Sequence, residues 1–256
     1  MEAVTALLEA RGVTKRFGAV EALRGASFAV GEGEVVALMG DNGAGKSTLI
    51  KTICGVYAPD AGEIHFAGRP IAGMSPSAVH DLGIETVYQD LALAPDLDTA
   101  ANLFLGRELL APGLLGRLGV LAKKRMAARA SQVLTDLKVA IKDPAAPVAT
   151  LSGGQQQSVA VARAVTWADR LVIMDEPTAA LGVPQTRAVL DLIRRVRDSG
   201  RSVVLISHSL PDVLAVSDRI EVLRLGRRVA RLVTKDTDEA QIVGAMTGAW
   251  TQEEAA

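Results

Sequence analysis

The stretch Gly40-Asp41-Asn42-Gly43-Ala44-Gly45-Lys46-Ser47-Thr48 narrows the fold more than any other part of the chain, because it matches the phosphate-loop pattern G-x-x-x-x-G-K-[ST]. It stands between an apolar, β-rich run, EVVALM (34–39), and a helical run, STLIKTICGV (47–56). A strand feeding a glycine turn that opens a helix is the context the pattern needs. Glycines let backbone N–H groups curl around phosphate oxygens, and the helix N-terminus adds its dipole. Gly40, Asp41, Asn42, Gly43, Ala44 and Gly45 are thus read as the cradle, Lys46 as the charge on the outer phosphates and Ser47 as a hydroxyl for Mg²⁺. Thr48 completes the motif.

Three more apolar runs, IETVYQ (84–89), RLVIMDE (170–176) and SVVLISH (202–208), are continuous rather than alternating. That pattern suits strands covered on both faces in a largely parallel sheet. Between them Met126, Ala130, Val133, Leu134 and Leu137, and then Val189, Leu190, Ile193 and Val196, repeat at helical spacing. The alternation predicts an α/β core. Near the start, ALLEARGVTKRF (6–17), VEALRGASFAV (20–30) and GEIHFAG (62–68) read as short strands of a small antiparallel sheet. Residues 91 to 150 lack strand signals and read as a helical insertion, with Pro144 and Pro147 turning the chain back. Within it APGLLGRLGVL (111–121) is either a loop packed on its own subdomain or an exposed patch for a partner. The phosphate loop occurs once, so no internal duplication is expected.

A buried strand ending in an acid supplies the second half of such a site. Asp175, closing LVIMD, is assigned to hold Mg²⁺ through its water shell. Glu176, next along and pointing elsewhere if strand alternation continues, is assigned as the base that orients an attacking water.

With 49% hydrophobic and 22% charged residues among 256, the chain is long and apolar enough for a substantial core. A net charge of −1 leaves no overall footprint for nucleic acid or for an anionic membrane. Glu2 and Glu9 fall where an export signal would be basic and then apolar, and charges interrupt the apolar runs before about 20 residues. A cytosolic chain that reaches membranes through a protein is expected. The single cysteine, Cys54, reads as a small buried helix residue. His65 and His80 match no motif and are taken as surface residues.

Leu151-Ser152-Gly153-Gly154-Gln155 opens a helical run, QQQSVAVARAV. Ser152 is a plausible N-cap, and the two glycines leave a bare helix end that attracts an anion. The residues alone leave three readings open: a second ligand, a plain helix start, or a phosphate held by another molecule.

Taken together these motifs resemble the ATP-binding subunit of ABC transporters over nearly the whole chain. GDNGAGKST is similar to its Walker A motif, VYQD with Gln89 to its glutamine loop, LSGGQQQ to its signature, LVIMDEP to Walker B, and LISHSL with His208 to its switch histidine. The resemblance implies a P-loop NTPase of ABC type: a mostly parallel core sheet, an N-terminal antiparallel β subdomain and an α-helical subdomain. It implies one domain over 1–256, with core and β subdomain at approximately 1–90 and 160–256, and the helical subdomain with the signature at approximately 91–159. ATP and Mg²⁺ are the implied cofactors. Phe17 would stack on adenine, where the family more often has Tyr. Gln89 would touch Mg²⁺ or the lytic water, and His208 the γ-phosphate. Glu176, His208 and Lys46 form the implied catalytic set, and Ser47, Gln89 and Asp175 the metal set.

Two such domains pack head to tail in the family, so Ser152, Gly153, Gly154 and Gln155 would serve ATP bound by a second copy. One departure is Gly182 in Thr178-Ala179-Ala180-Leu181-Gly182, where the family commonly has an aspartate; it puts a cross-dimer hydrogen bond in doubt. YQDLALAPDLDTAANLFLGRE and ISHSLPDVLAVSDRIEVLRLGRR resemble the bacterial monosaccharide importers of the ribose, xylose and fructose group. The implied partners are a second copy, membrane permeases and, indirectly, an extracytoplasmic solute-binding protein. Peripheral attachment at the cytoplasmic face of the inner membrane follows. The alternatives are an importer of nucleosides or another small polar solute, a soluble ABC-type ATPase acting on nucleic acid or ribosomes, and a regulatory subunit that never hydrolyses.

Overall fold

A computed structural model describes residues 6–179 and 181–250. Residues 1–5 and 251–256, which enter the readings of the two ends, and Ala180 of the loop after Walker B lie outside the described residues. In chain order the elements are β1 (Leu8–Phe17), β2 (Val20–Val30), β3 (Val35–Met39), α1 (Lys46–Ile53), β4 (Ala61–Phe66), β5 (Arg69–Pro70), α2 (Pro76–Asp81) and β6 (Ile84–Val87). There follow α3 (Thr99–Phe104), α4 (Leu114–Arg117), α5 (Lys123–Asp136), α6 (Gly153–Trp167), β7 (Leu171–Asp175) and α7 (Val183–Asp198). The chain continues with β8 (Ser202–Ile206), α8 (Leu210–Val216), β9 (Arg219–Arg224), β10 (Arg227–Val233) and α9 (Glu239–Thr247).

These build two sheets. A four-stranded antiparallel sheet has the order β2-β1-β4-β5, and a six-stranded one has the order β10-β9-β3-β8-β7-β6. In the larger sheet β9, β3, β8, β7 and β6 run parallel, and β10 is antiparallel to β9. The expected mostly parallel core with a small antiparallel sheet is what forms.

Why the central strands read as unbroken apolar runs is visible in their packing. Val35, Ala37 and Met39 join a core with α6 and α7, while Val36 and Leu38 join a second core with α1 and the antiparallel sheet. β7 and β8 divide the same way, Val172, Met174, Val203 and Leu205 to one side and Leu171, Ile173, Val204 and Ile206 to the other. Successive side chains face opposite layers, so neither face is left for a polar residue. Each such aliphatic side chain contributes roughly 1.5–3 kcal/mol by burial, and an aspartate at Ile173 or Val204 would break the sheet.

The helices follow the predicted periods: Met126, Ala130 and Leu134 of α5 and Val189, Leu190, Ile193 and Val196 of α7 are buried. Cys54 is buried at the end of α1 with its Sγ 3.4 Å from Thr86 Oγ1, and burial pushes the thiol up to about 11. The histidines differ from expectation, since both are half-buried. His80 Nδ1 lies 3.2 Å from the Glu85 carboxylate, whose other oxygen lies 2.9 Å from Arg107; the contact with Glu85 raises the imidazole pKa.

β9 and β10 have no counterpart in the sequence reading. RIEVLR carries three charges in six residues, which hides a strand; yet Glu221 in its middle is fully buried. Its carboxylate is met by Arg219, by Arg231 Nε at 3.0 Å and by Arg228 at 3.6 Å, and Arg219 also reaches Glu34 at 2.6 Å. No helix among the described residues is long and apolar enough to cross a membrane.

Candidate functional site

β3 ends at Met39, and the chain then curls through Gly40 (φ 149°), Gly43 (φ 80°) and Gly45 (φ 104°) into α1. Two of these glycines are imposed by close approach. A Cβ on Gly40 would lie 2.2 Å from the Leu223 carbonyl oxygen, and one on Gly45 2.8 Å from that of Ala22. Gly45 caps α1 without a side-chain hydrogen bond, so the first-turn N–H groups have no cap oxygen and face the loop. The loop is braced from outside. Gly226 N–H, in the β9–β10 turn, donates to the Ala44 carbonyl at 2.9 Å, and Arg24 N–H donates to Gly226 at 2.8 Å.

A cavity of about 520 Å³ lies over this loop. Residues 41–48 line it together with Val20, Ala22 and Arg24 from the β1–β2 hairpin and Leu225 from the β9–β10 turn. Lys46 Nζ donates to the carbonyl oxygens of Gly40 (2.5 Å) and Asp41 (3.1 Å). Burial lowers its pKa, against which Glu176, Asp41 and Asp175 act to keep the ammonium charged. Phe17 does not line the cavity. It closes β1 opposite Val20, which does, and it stands edge-on to Tyr57 with ring centroids 5.0 Å apart. Val20, Arg24 and Leu225 were not legible as site residues, because strand pairing alone brings them there.

Sheet register delivers the acids. Ile206 of β8 pairs with Leu38 of β3 on one side and with Asp175 of β7 on the other. The phosphate loop, Asp175 and Glu176, and His208 therefore leave the sheet along one edge. Gln89 joins them from β6, whose Val87 pairs with Met174; its side chain is exposed.

The divergence of Asp175 and Glu176 has a different cause from the one expected. The strand stops at Asp175, and Glu176 takes a left-handed backbone (φ 50°) while its N–H donates to the Ile206 carbonyl at 2.9 Å. A turn costing some strain, rather than strand alternation, separates the two carboxylates. Glu176 Oε1 then lies 2.9 Å from His208 Nδ1, a contact between residues assigned separate roles from the sequence. Glu176 is mostly covered, and the imidazole is 72% exposed. Burial raises the Asp175 pKa; Glu176 adds to the rise, and Lys46 and Lys51 oppose it.

Among the described residues no cluster of three or more His, Cys, Asp or Glu side chains could hold a metal alone. Ser47 and Asp175 offer a hydroxyl and one carboxylate. That hard-oxygen set fits Mg²⁺, which keeps several waters and takes other ligands from phosphates.

The signature segment sits elsewhere. Ser152 caps α6 through a capping box: Gln155 N–H donates to Ser152 Oγ at 3.4 Å, and Ser152 N–H donates to Gln155 Oε1 at 3.0 Å. Ser152, Gly154 and Gln155 line a second cavity of about 350 Å³ with Gln185, Lys138 and Arg195, which shares no residue with the first. Gly154 is held against α7, for a Cβ there would lie 2.9 Å from the Gln185 side chain. Gly182 caps α7 with no side chain, and a Cβ there would lie 2.8 Å from Gln185 Oε1. A further tie that the sequence did not announce joins Thr178 Oγ1 to Asp212 Oδ2 at 2.7 Å, fastening the loop after β7 to α8.

Comparison with known proteins matches residues 23–179 to the family described as ABC transporter. The fructose import ATP-binding protein FrcA of Rhizobium meliloti is 50% identical over 245 residues, 95% of this chain and 94% of that protein. The xylose/arabinose import ATP-binding protein XylG of Sulfolobus acidocaldarius is 46% identical over 241 residues, 94% of each. A solved dimeric ATP-binding cassette in a post-hydrolysis state, bound to ADP and phosphate, superposes with a TM-score of 0.74 at 25% identity, covering 89% of this chain and 98% of that one.

Proposed function

Because the chain belongs to the ABC transporter family and is an ATPase of it, we propose that it powers the import of a monosaccharide across the bacterial inner membrane. The observation that supports the reading most directly is the convergence of the phosphate loop, Asp175, Glu176 and His208 on one edge of a single sheet, through the shared pairing partner Ile206. The names of the fructose and xylose/arabinose import relatives support the solute class.

In this reading the glycine loop and the α1 N-terminus receive the phosphates of ATP, and Lys46 exchanges its two backbone carbonyls for phosphate oxygens. Ser47 and Asp175, with Gln89, would hold Mg²⁺, and the ion would neutralise charge that develops on the phosphates. Glu176 accepts a proton from the attacking water. His208, 2.9 Å away, holds that carboxylate in place and faces the γ-phosphate. Stacking of Phe17 on adenine would require its ring to turn from Tyr57 towards the cavity that Val20 lines. Most of the rate comes from positioning and charge placement rather than covalent chemistry.

Ser152, Gly153, Gly154 and Gln155 do not line this cavity, so their reading is completion of the site on a second copy. ATP closes the pair, closure switches the membrane permeases that receive sugar from a solute-binding protein, and hydrolysis reopens it. The subunit is accordingly peripheral to the membrane. The test is reconstitution of the chain with its permease and binding protein in vesicles. Sugar uptake that needs MgATP on the side of this subunit supports the reading; phosphate release with no uptake of any pentose or hexose refutes the import of monosaccharides.

A further inference from the structure

Between α3 and α5 the chain leaves the body as a hairpin. Leu110 and Leu121 form an antiparallel bridge; Ala111 N–H donates to Val120 at 2.8 Å and Ala122 N–H to Leu109 at 2.7 Å. The short helix α4 forms the tip and is tied down by Val120 N–H donating to Leu115 at 3.0 Å. Gly116 packs so closely that a Cβ would lie 2.0 Å from the Ala111 carbonyl oxygen. This is a built projection, and what it displays is apolar: Leu114, Leu115 and Leu118 are 72%, 58% and 72% exposed, and Leu110, Val120 and Leu121 continue the patch. Of the two readings left open for this segment, the observed exposure agrees with the second as far as the leucines turn outward.

Cations surround it. Between residues 105 and 125 stand Arg107, Arg117, Lys123, Lys124 and Arg125 against the lone acid Glu108, in a chain whose net charge is −1. Arg117, Lys123, Lys124 and Arg125 are exposed and have no ion-pair partner among the described residues. Lys123, Lys124 and Arg125 also occupy the first turn of α5, with no acid there, where the helix dipole disfavours positive charge. Helix stability does not account for them.

We propose that this hairpin, with the first turn of α5, is a foot that seats the subunit on an anionic lipid surface. Leucines at the tip, with Lys123, Lys124 and Arg125 where the stalk joins the body, reproduce the depth order of a bilayer interface, hydrocarbon beneath charged headgroups, and the long side chain of Arg117 in α4 can reach back to the headgroups. The proposal goes beyond the importer reading, because the contact requires neither nucleotide nor permease.

The test is sedimentation of the full chain alone with vesicles of phosphatidylglycerol and phosphatidylcholine, against vesicles of phosphatidylcholine only. Binding to the anionic vesicles is expected, weakened when salt shortens the Debye length to about 3 Å. Each near-surface cation is worth about fivefold in partitioning, so Lys123→Gln, Lys124→Gln and Arg125→Gln together lower it about a hundredfold. Leu114→Ser with Leu118→Ser lowers it about tenfold or more. Unchanged thermal midpoints and phosphate release show that these variants fold. A parental chain that ignores anionic vesicles overturns the proposal, and so do variants that sediment as it does. Variants that lose the permease while keeping the vesicles overturn it too, by assigning the patch to a protein.

Discussion

Glu221→Gln isolates the buried charge cluster in β9 and β10, whose connecting turn lines the cavity over the phosphate loop. The carboxylate is wholly buried against Arg219, Arg228 and Arg231, so the neutral isostere keeps the volume and removes the negative charge that these guanidinium groups meet there. Removing one partner of a buried ion pair costs about 3–5 kcal/mol, because the remaining charge is left uncompensated. The lower end applies, since Arg219 retains Glu34 at 2.6 Å and the Ala29 carbonyl at 2.7 Å. About 3 kcal/mol is a large share of a total of roughly 5–15 kcal/mol. It lowers the thermal midpoint by roughly 6–12 °C in a chain this size. Urea unfolding measures the loss directly, and because the cluster is buried the loss persists at high salt. MgATP at about a hundred times its dissociation constant restores roughly 2.7 kcal/mol if the fold around Gly226 survives. A loss below about 1 kcal/mol would refute the reasoning.

Three further outcomes are expected. Glu176→Gln keeps ATP binding, lowers steady phosphate release by roughly 10²–10⁴ and accumulates a pair of chains in gel filtration with MgATP; parental turnover would reject Glu176 as base. For Asp175→Asn the sign follows from burial: a carboxyl with a raised folded-state pKa contributes stability fully present below the unfolded value and lost as pH rises through the folded one. At neutral pH without nucleotide the variant therefore melts no lower than the parent, with the advantage vanishing towards about pH 3, while its Mg²⁺-dependent phosphate release falls. Cys54, its thiol at about 11 and buried against Thr86, resists alkylation in the native chain at neutral pH and reacts at once in urea; rapid native labelling would contradict its placement.

The phosphate loop was legible because its parts are contiguous: Gly40, Gly43 and Gly45 take positive φ within six residues, and Lys46 and Ser47 follow at the start of α1. The doubly covered strands were legible for a similar reason, since burial on both faces leaves its mark within five residues. β9 was not, because the arginines that meet Glu221 stand on its own and the neighbouring strand, and only strand pairing brings them to it. Likewise nothing local to MDEP or to ISHS announces that Glu176 and His208 touch. Their contact depends on β7 lying beside β8 and on one left-handed residue. The hairpin tip was visible as composition, but whether its leucines turn in or out depends on hydrogen bonds that close the stalk.

The two cavities share no lining residue, and that separation bears on how copies of the chain count themselves. A molecule with two unlike, mutually complementary surfaces joins its neighbours in an endless row, one surface always left over, in a closed ring, or about a twofold axis that satisfies both at once. If the capped end of α6 reaches a neighbour's phosphate loop only when that neighbour's α6 reaches back, growth halts at two without any surface devoted to halting it.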